Sequence, residues 1–259
     1  IGTIDMSART SNTMTLATGT TTPYIYGNWI SGTGVTMSGA GGRITFAGRG
    51  TQTITSAGVA FTQPLGVDAV SGSVALNDAL NVSYSSAGAF ILYSGTFNAA
   101  TYNVTLAGSF SAASTTTSRT WAVGSGTWTI TGSGTVVSSS AVSLTVTGTG
   151  TISLTNASAK TFAGAGLSYS GITLNQGGAG TLTVTGNNTF KDITNSYSAT
   201  GATNITLGTT TQTVTQWTGT GTSGNVLTVQ GSSAISPGTL ILSGATKPNV
   251  DYLTVTGVR

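Results

Sequence analysis

The chain has 259 residues, a formal net charge of +3 and charged residues at only 5 %, against about 25 % in ordinary globular domains. Thr, Ser and Gly supply 54, 32 and 38 residues, and Glu, His and Cys are absent. This excludes a disulfide framework, thiolate or imidazole metal sites and histidine acid–base chemistry. What is left, β-branched residues with turn formers, reads as an ordered all-β protein.

Residues 1–88 share this composition but show the weakest patterning, and are read as an N-terminal β region with a contact or capping role. Residues 89–259 are read as a solenoid repeat region. Within the first part, Pro23-Tyr24-Ile25-Tyr26-Gly27-Asn28-Trp29 concentrates aromatics. Exposed aromatic patches mark interaction sites, so Tyr24, Tyr26 and Trp29 form the candidate contact surface. Further along, Asp68 and Asp78 are the two acids closest in sequence. Their context, as in Leu76-Asn77-Asp78-Ala79, reads as turn capping by side-chain oxygens.

From residue 94 onward period-2 alternation dominates. It runs through Thr127-Trp128-Thr129-Ile130-Thr131, Ser143-Leu144-Thr145-Val146-Thr147 and Thr151-Ile152-Ser153-Leu154-Thr155. It returns in Thr181-Leu182-Thr183-Val184-Thr185, Thr211-Gln212-Thr213-Val214-Thr215 and Tyr252-Leu253-Thr254-Val255-Thr256. Each run predicts a strand with one dry and one wet face. Trp121 and Trp128 are read as core filling. Gly219-Thr220-Gly221-Thr222-Ser223-Gly224 matches a phosphate-loop string, but a strand-like run follows it where a helix is required, so it reads as a turn. Asn187-Asn188 reads as a coil corner.

No segment carries a helical period. Two architectures fit: a parallel β-helix (solenoid), or one or two antiparallel β-sandwich or jelly-roll domains. The absence of Asn-Gly and Asp-Gly hairpin dipeptides and the presence of only four Pro favour the solenoid. Four Thr-Gly strand ends, at Gly132, Gly148, Gly186 and Gly257, recur without a fixed period.

The successive stretches TLTVTGNNTFKDI (residues 181–193), NITLGTTTQTVTQW (204–217), GNVLTVQGSS (224–233) and DYLTVTG (251–257) resemble the β-helix-type repeat regions of phage virion and bacterial surface proteins. Upstream, SGTFNAATYNVTLAGSF (94–110) and SRTWAVGSGTWTITGSG (118–134) are similar to the same kind of region. The resemblance implies a right-handed parallel β-helix serving as a non-enzymatic fibre, spike or capsid-decorating component of a phage virion, assembled as a homotrimer. A bacterial extracellular adhesin or filament subunit is the alternative. It carries over no catalytic, metal or cofactor residue.

The remaining alternative is a β-helix polysaccharide depolymerase, which requires two carboxylates on one groove within about 10 Å. The expected partners are the chain itself, other virion or surface proteins and a host-surface glycan. Nucleic acid is not expected, because Arg9, Arg43, Arg49, Arg119, Lys160, Lys191, Lys247 and Arg259 form no basic stripe. Membrane insertion is not expected, because no apolar run reaches about 18 residues. The expected location is the virion, or else the bacterial surface.

Overall fold

The computed structural model describes residues 1–259 except 12–13, 18–19, 40, 199–202 and 245–249; Lys247 therefore lies outside the described residues. The chain is all-β, a parallel β-solenoid of about 10 turns. Its strands form a 16-stranded, an 8-stranded and a 2-stranded sheet. The antiparallel sandwich is thereby set aside. Neighbouring strands pair in parallel from Ile4–Asp5 on Trp29–Ile30 to Leu227–Gly231 on Leu253–Thr256. The one antiparallel bridge among the described residues, Thr222 with Asn225, closes a tight turn inside the phosphate-loop string. The ladder also passes across residue 88, since Leu65 pairs with Phe90.

The alternation places the side chains. In Leu182–Thr185, Leu182 and Val184 are buried while Thr183 and Thr185 lie partly open. Parallel register stacks like on like. Val104, Trp128, Ile152, Leu174, Ile193 and Trp217 form one inward column. Each apolar side chain is covered above and below as well as from across the coil. The column therefore excludes water although every coil is only a few strands wide.

Coil length varies: Phe90 pairs with Phe110, 20 residues on, and Thr211 with Thr239, 28 residues on. That variation is why the sequence shows no fixed repeat. Strand Phe90–Asn98 spans 9 residues and Leu65–Leu76 spans 12, turning a corner within a single strand.

The centre of the core is aromatic. The Trp128 ring meets Phe97, Phe110 and Trp121 edge-on, with centroids 5.7, 5.4 and 5.2 Å away. Trp121 also stacks on Phe110 at 4.1 Å. The indole N–H of Trp128 donates to the Val123 carbonyl at 2.9 Å, so the polar edge of the ring is satisfied.

Polar side chains sew coil to coil. Asp78 accepts the N–H groups of Ser56 and Ala57 at 2.7 and 2.6 Å. This is a clamp onto the previous coil rather than the local turn cap suggested by the sequence. Asn188, buried at the expected corner, accepts from Gly166 N–H and donates to the carbonyls of Thr185 and Gly186 and to Gln212 Oε1, all at 3.0 Å. Buried Gln52 accepts from Gly48 N–H and donates to the carbonyls of Ile25 and Gly27. These bonds satisfy backbone groups that leave the ladder at corners, where an unmet buried donor or acceptor costs about 1–3 kcal/mol.

Candidate functional site

Among the described residues register shifts interrupt the ladder in five strand pairings, and one pairing carries two of them. Between the long strands Leu65–Leu76 and Phe90–Asn98 the register shifts twice, around Ser94. Ser71 there takes a left-handed conformation (φ 62°), as does Gly95 (φ 75°). Bulges of this kind re-aim side chains and are common beside functional surfaces. Here they open two adjoining grooves. One, of about 440 Å³, is lined by Ser and Thr with Val70. The other, of about 320 Å³, is lined by Thr22, Tyr24, Arg43, Thr45, Asp68 and Tyr93. Between them, Ser94 Oγ donates to Asp68 Oδ1 at 2.8 Å.

Arg43 anchors the second groove. Its Nη1 donates to the carbonyls of Leu65 and Gly88, both at 2.8 Å, and its guanidinium carbon lies 6.0 Å from the Tyr93 ring centre. This fits because Gly66 lies beneath. A Cβ at that position would sit 2.8 Å from Arg43 Cδ and 3.1 Å from Thr45 Oγ1.

The candidate contact residues divide. Tyr24 and Tyr26 are 47 % and 60 % exposed, but Trp29 is 1 % exposed and cannot belong to an outer contact surface. Its indole N–H donates to Ser31 Oγ at 2.9 Å and its ring lies 5.3 Å from Phe61. Trp29 opens a separate strand, Trp29–Ile30, in register with Ile4 and Ile54, so its inward side chain is set independently of the strand Tyr24–Ile25, where Tyr24 faces out and Ile25 in. Tyr24 lines the groove beside Arg43, whereas Tyr26 does not.

Four of the five Asp carboxylates accept hydrogen bonds within the chain. Asp68 and Asp78 serve different contacts, as described above. Buried Asp192 accepts from Thr218 N–H (2.9 Å), Thr218 Oγ1 (2.5 Å) and Gln216 Nε2 (3.1 Å). Asp5 accepts from Ser7 N–H, and the Ser7 side chain first and this backbone bond second hold its carboxyl below the usual range. Among the described residues no group of three acidic, His or Cys side chains converges.

Two cations lie inside the solenoid, a feature their scattered sequence positions did not signal. Arg119 donates to the carbonyls of Ala112, Thr117 and Val142, and burial lowers its pKa. Lys160 Nζ donates to the carbonyls of Asn156 and Gly180 at 2.9 and 2.8 Å. Neither meets a carboxylate. Desolvation pulls the Lys160 ammonium down from 10.5 to about 8. Buried Tyr169 is pushed up from 10.0 to about 12, chiefly by desolvation.

These shifts have opposite signs in stability. Between pH 8 and 10.5 the unfolded chain holds a proton that folded Lys160 has released, so stability rises with pH. Between pH 10 and 12 the folded Tyr169 keeps a proton that the unfolded chain has lost, so stability falls. The melting temperature is expected to climb above pH 8, crest near pH 10 and then drop. Lys160→Met should flatten the climb, and Tyr169→Phe the drop. Calorimetric scans across pH 7–12 that show the same climb in Lys160→Met would remove Lys160 as its cause.

Comparison with family models, curated proteins and solved structures finds no match to this chain.

Proposed function

We propose that the chain is a non-enzymatic structural and attachment component of a phage virion: a fibre, spike or capsid-decorating protein. One observation carries this reading. The carboxylates and amides from which a depolymerase would build a reaction centre here join coil to coil, as Asp78, Asp192, Asn188 and Gln52 do. A bacterial surface adhesin or filament subunit would rest on the same physics, and only the particle tells the two apart. Assembly as a homotrimer through the open faces of the solenoid belongs to this proposal, since an uncovered strand edge is a template for association.

The test has three arms. Mass spectrometry of purified phage particles is expected to find the chain, and bacterial envelopes free of phage are expected to lack it. Light scattering on the purified protein is expected to return three times the chain mass. Incubation with bacterial capsular polysaccharides is expected to release no new reducing ends. Release of reducing ends that is lost in Asp68→Asn would overturn the non-enzymatic reading.

A further inference from the structure

We infer that the groove at the broken corner is a binding subsite for an uncharged hexopyranose unit of a glycan. The inference gives the attachment reading a ligand and rests on it for its biological setting, though not for its chemistry.

Hydrogen-bonding capacity is left unused there. Among the described residues, no hydrogen bond is made by the Thr45 hydroxyl, by Asp68 Oδ2, by Arg43 Nε or Nη2, or by the phenols of Tyr24 and Tyr93. Elsewhere among the described residues the internal carboxylates Asp78 and Asp192 hold backbone amides and Gln52 holds carbonyls, while single buried atoms such as Thr62 Oγ1 and Gln176 Oε1 lack a partner. Here Asp68, Arg43 and Thr45, the last a residue only 3 % exposed, line one groove together. The guanidinium is already fixed on two carbonyls and the carboxylate on Ser94, so neither must be ordered on binding.

The groups match one ligand chemistry. A carboxylate accepts from two vicinal hydroxyls and a guanidinium donates to their oxygens, which is how alcohols rather than ions are held. One acid beside one base leaves the groove without net charge, which disfavours a sulfated or uronic sugar. Tyr24 and Tyr93, 47 % and 38 % exposed, bring to the groove the aromatic side chains that pack on the C–H face of a pyranose. The volume of about 320 Å³ lies at the small end of ligand sites, right for one ring rather than a chain. The adjoining Ser- and Thr-lined groove offers space for the next residue of a polymer.

The experiment is a titration of the intact chain with neutral oligosaccharides (gluco-, galacto-, manno- and rhamno-series), followed by calorimetry and by amide NMR shifts. At least one is expected to bind in the micromolar to millimolar range, shifting the amides of Thr45, Gly66 and Asp68. Tyr24→Ala and Asp68→Asn are each expected to weaken it about tenfold or more, which is about 1.4 kcal/mol. Tyr26→Ala, at a more exposed tyrosine outside the groove, is expected to leave it unchanged, and matched melting temperatures show that the variants fold.

No binding by any neutral series up to about 10 mM, stronger binding of anionic sugars, or binding that survives both groove variants would each overturn the subsite. The chain's presence or absence in purified particles is read separately, so the virion reading and the sugar subsite can fail independently.

Discussion

Replacing Trp128 by Ala is expected to lower the unfolding free energy by about 3–5 kcal/mol, the upper range for a buried aromatic. The argument is positional. Trp128 is fully buried, stands in register between Val104 and Ile152, and meets the rings of Phe90, Phe97, Phe110 and Trp121 edge-on. Ala would open a void flanked by stiff rings on coils whose backbones are tied by ladder bonds, so little collapse can fill it. The indole N–H would also vanish and leave the Val123 carbonyl without that donor. Urea denaturation followed by far-ultraviolet circular dichroism measures the loss, and a cost below about 1 kcal/mol would show that the column repacks. Because each coil touches mainly its neighbours, amide exchange should quicken first around Val104–Leu106 and Thr151–Leu154.

Gly124→Val is expected to cost about 3 kcal/mol or more, from two separate causes. Gly124 has φ 79°, a left-handed conformation that a β-branched residue resists. A Cβ there would also collide with the carbonyl oxygen of Ala100 on the coil below, and backbone cannot yield as a side-chain tip can. Gly134 separates the two causes. Its φ is 70°, but a Cβ there would meet nothing within 4 Å. Gly134→Ala should therefore cost only the conformational part, about 1–2 kcal/mol. Equal losses for the two variants, measured by thermal melts, would mean that coil-to-coil approach at Gly124 is looser than its geometry implies.

The strands were legible because Thr and apolar residues alternate in phase with the pleat. The runs around Trp128, Ile152 and Leu182 lie in strands with the expected faces inward. Within Pro23–Trp29 the arithmetic stops short, because the strand Tyr24–Ile25 ends before Trp29 opens the next one and parity does not carry across the break. Lys160 and Arg119 were missed for a related reason. They occupy inward parity in KTF and RTW, but a cation suggests solvent until three-dimensional structure supplies the carbonyls that receive it.

The groove was not legible at all. Tyr24, Arg43, Asp68 and Tyr93 come from different strands or coil segments, and only coil length decides which residues become neighbours across the ladder. Strand Leu65–Leu76 hid the corner further, since Ser71-Gly72-Ser73 turns it within a continuous strand.

The unequal coils carry an evolutionary consequence. Closing a loop of 28 residues instead of 20 costs only about 0.3 kcal/mol more in chain entropy, since the penalty grows with the logarithm of length. Lengthening one coil at a turn such as residues 113–118 leaves the rungs on either side in place. New surface loops can thus be acquired or lost, one coil at a time, without renegotiating the scaffold, and what the protein presents outward is free to change faster than what holds it together.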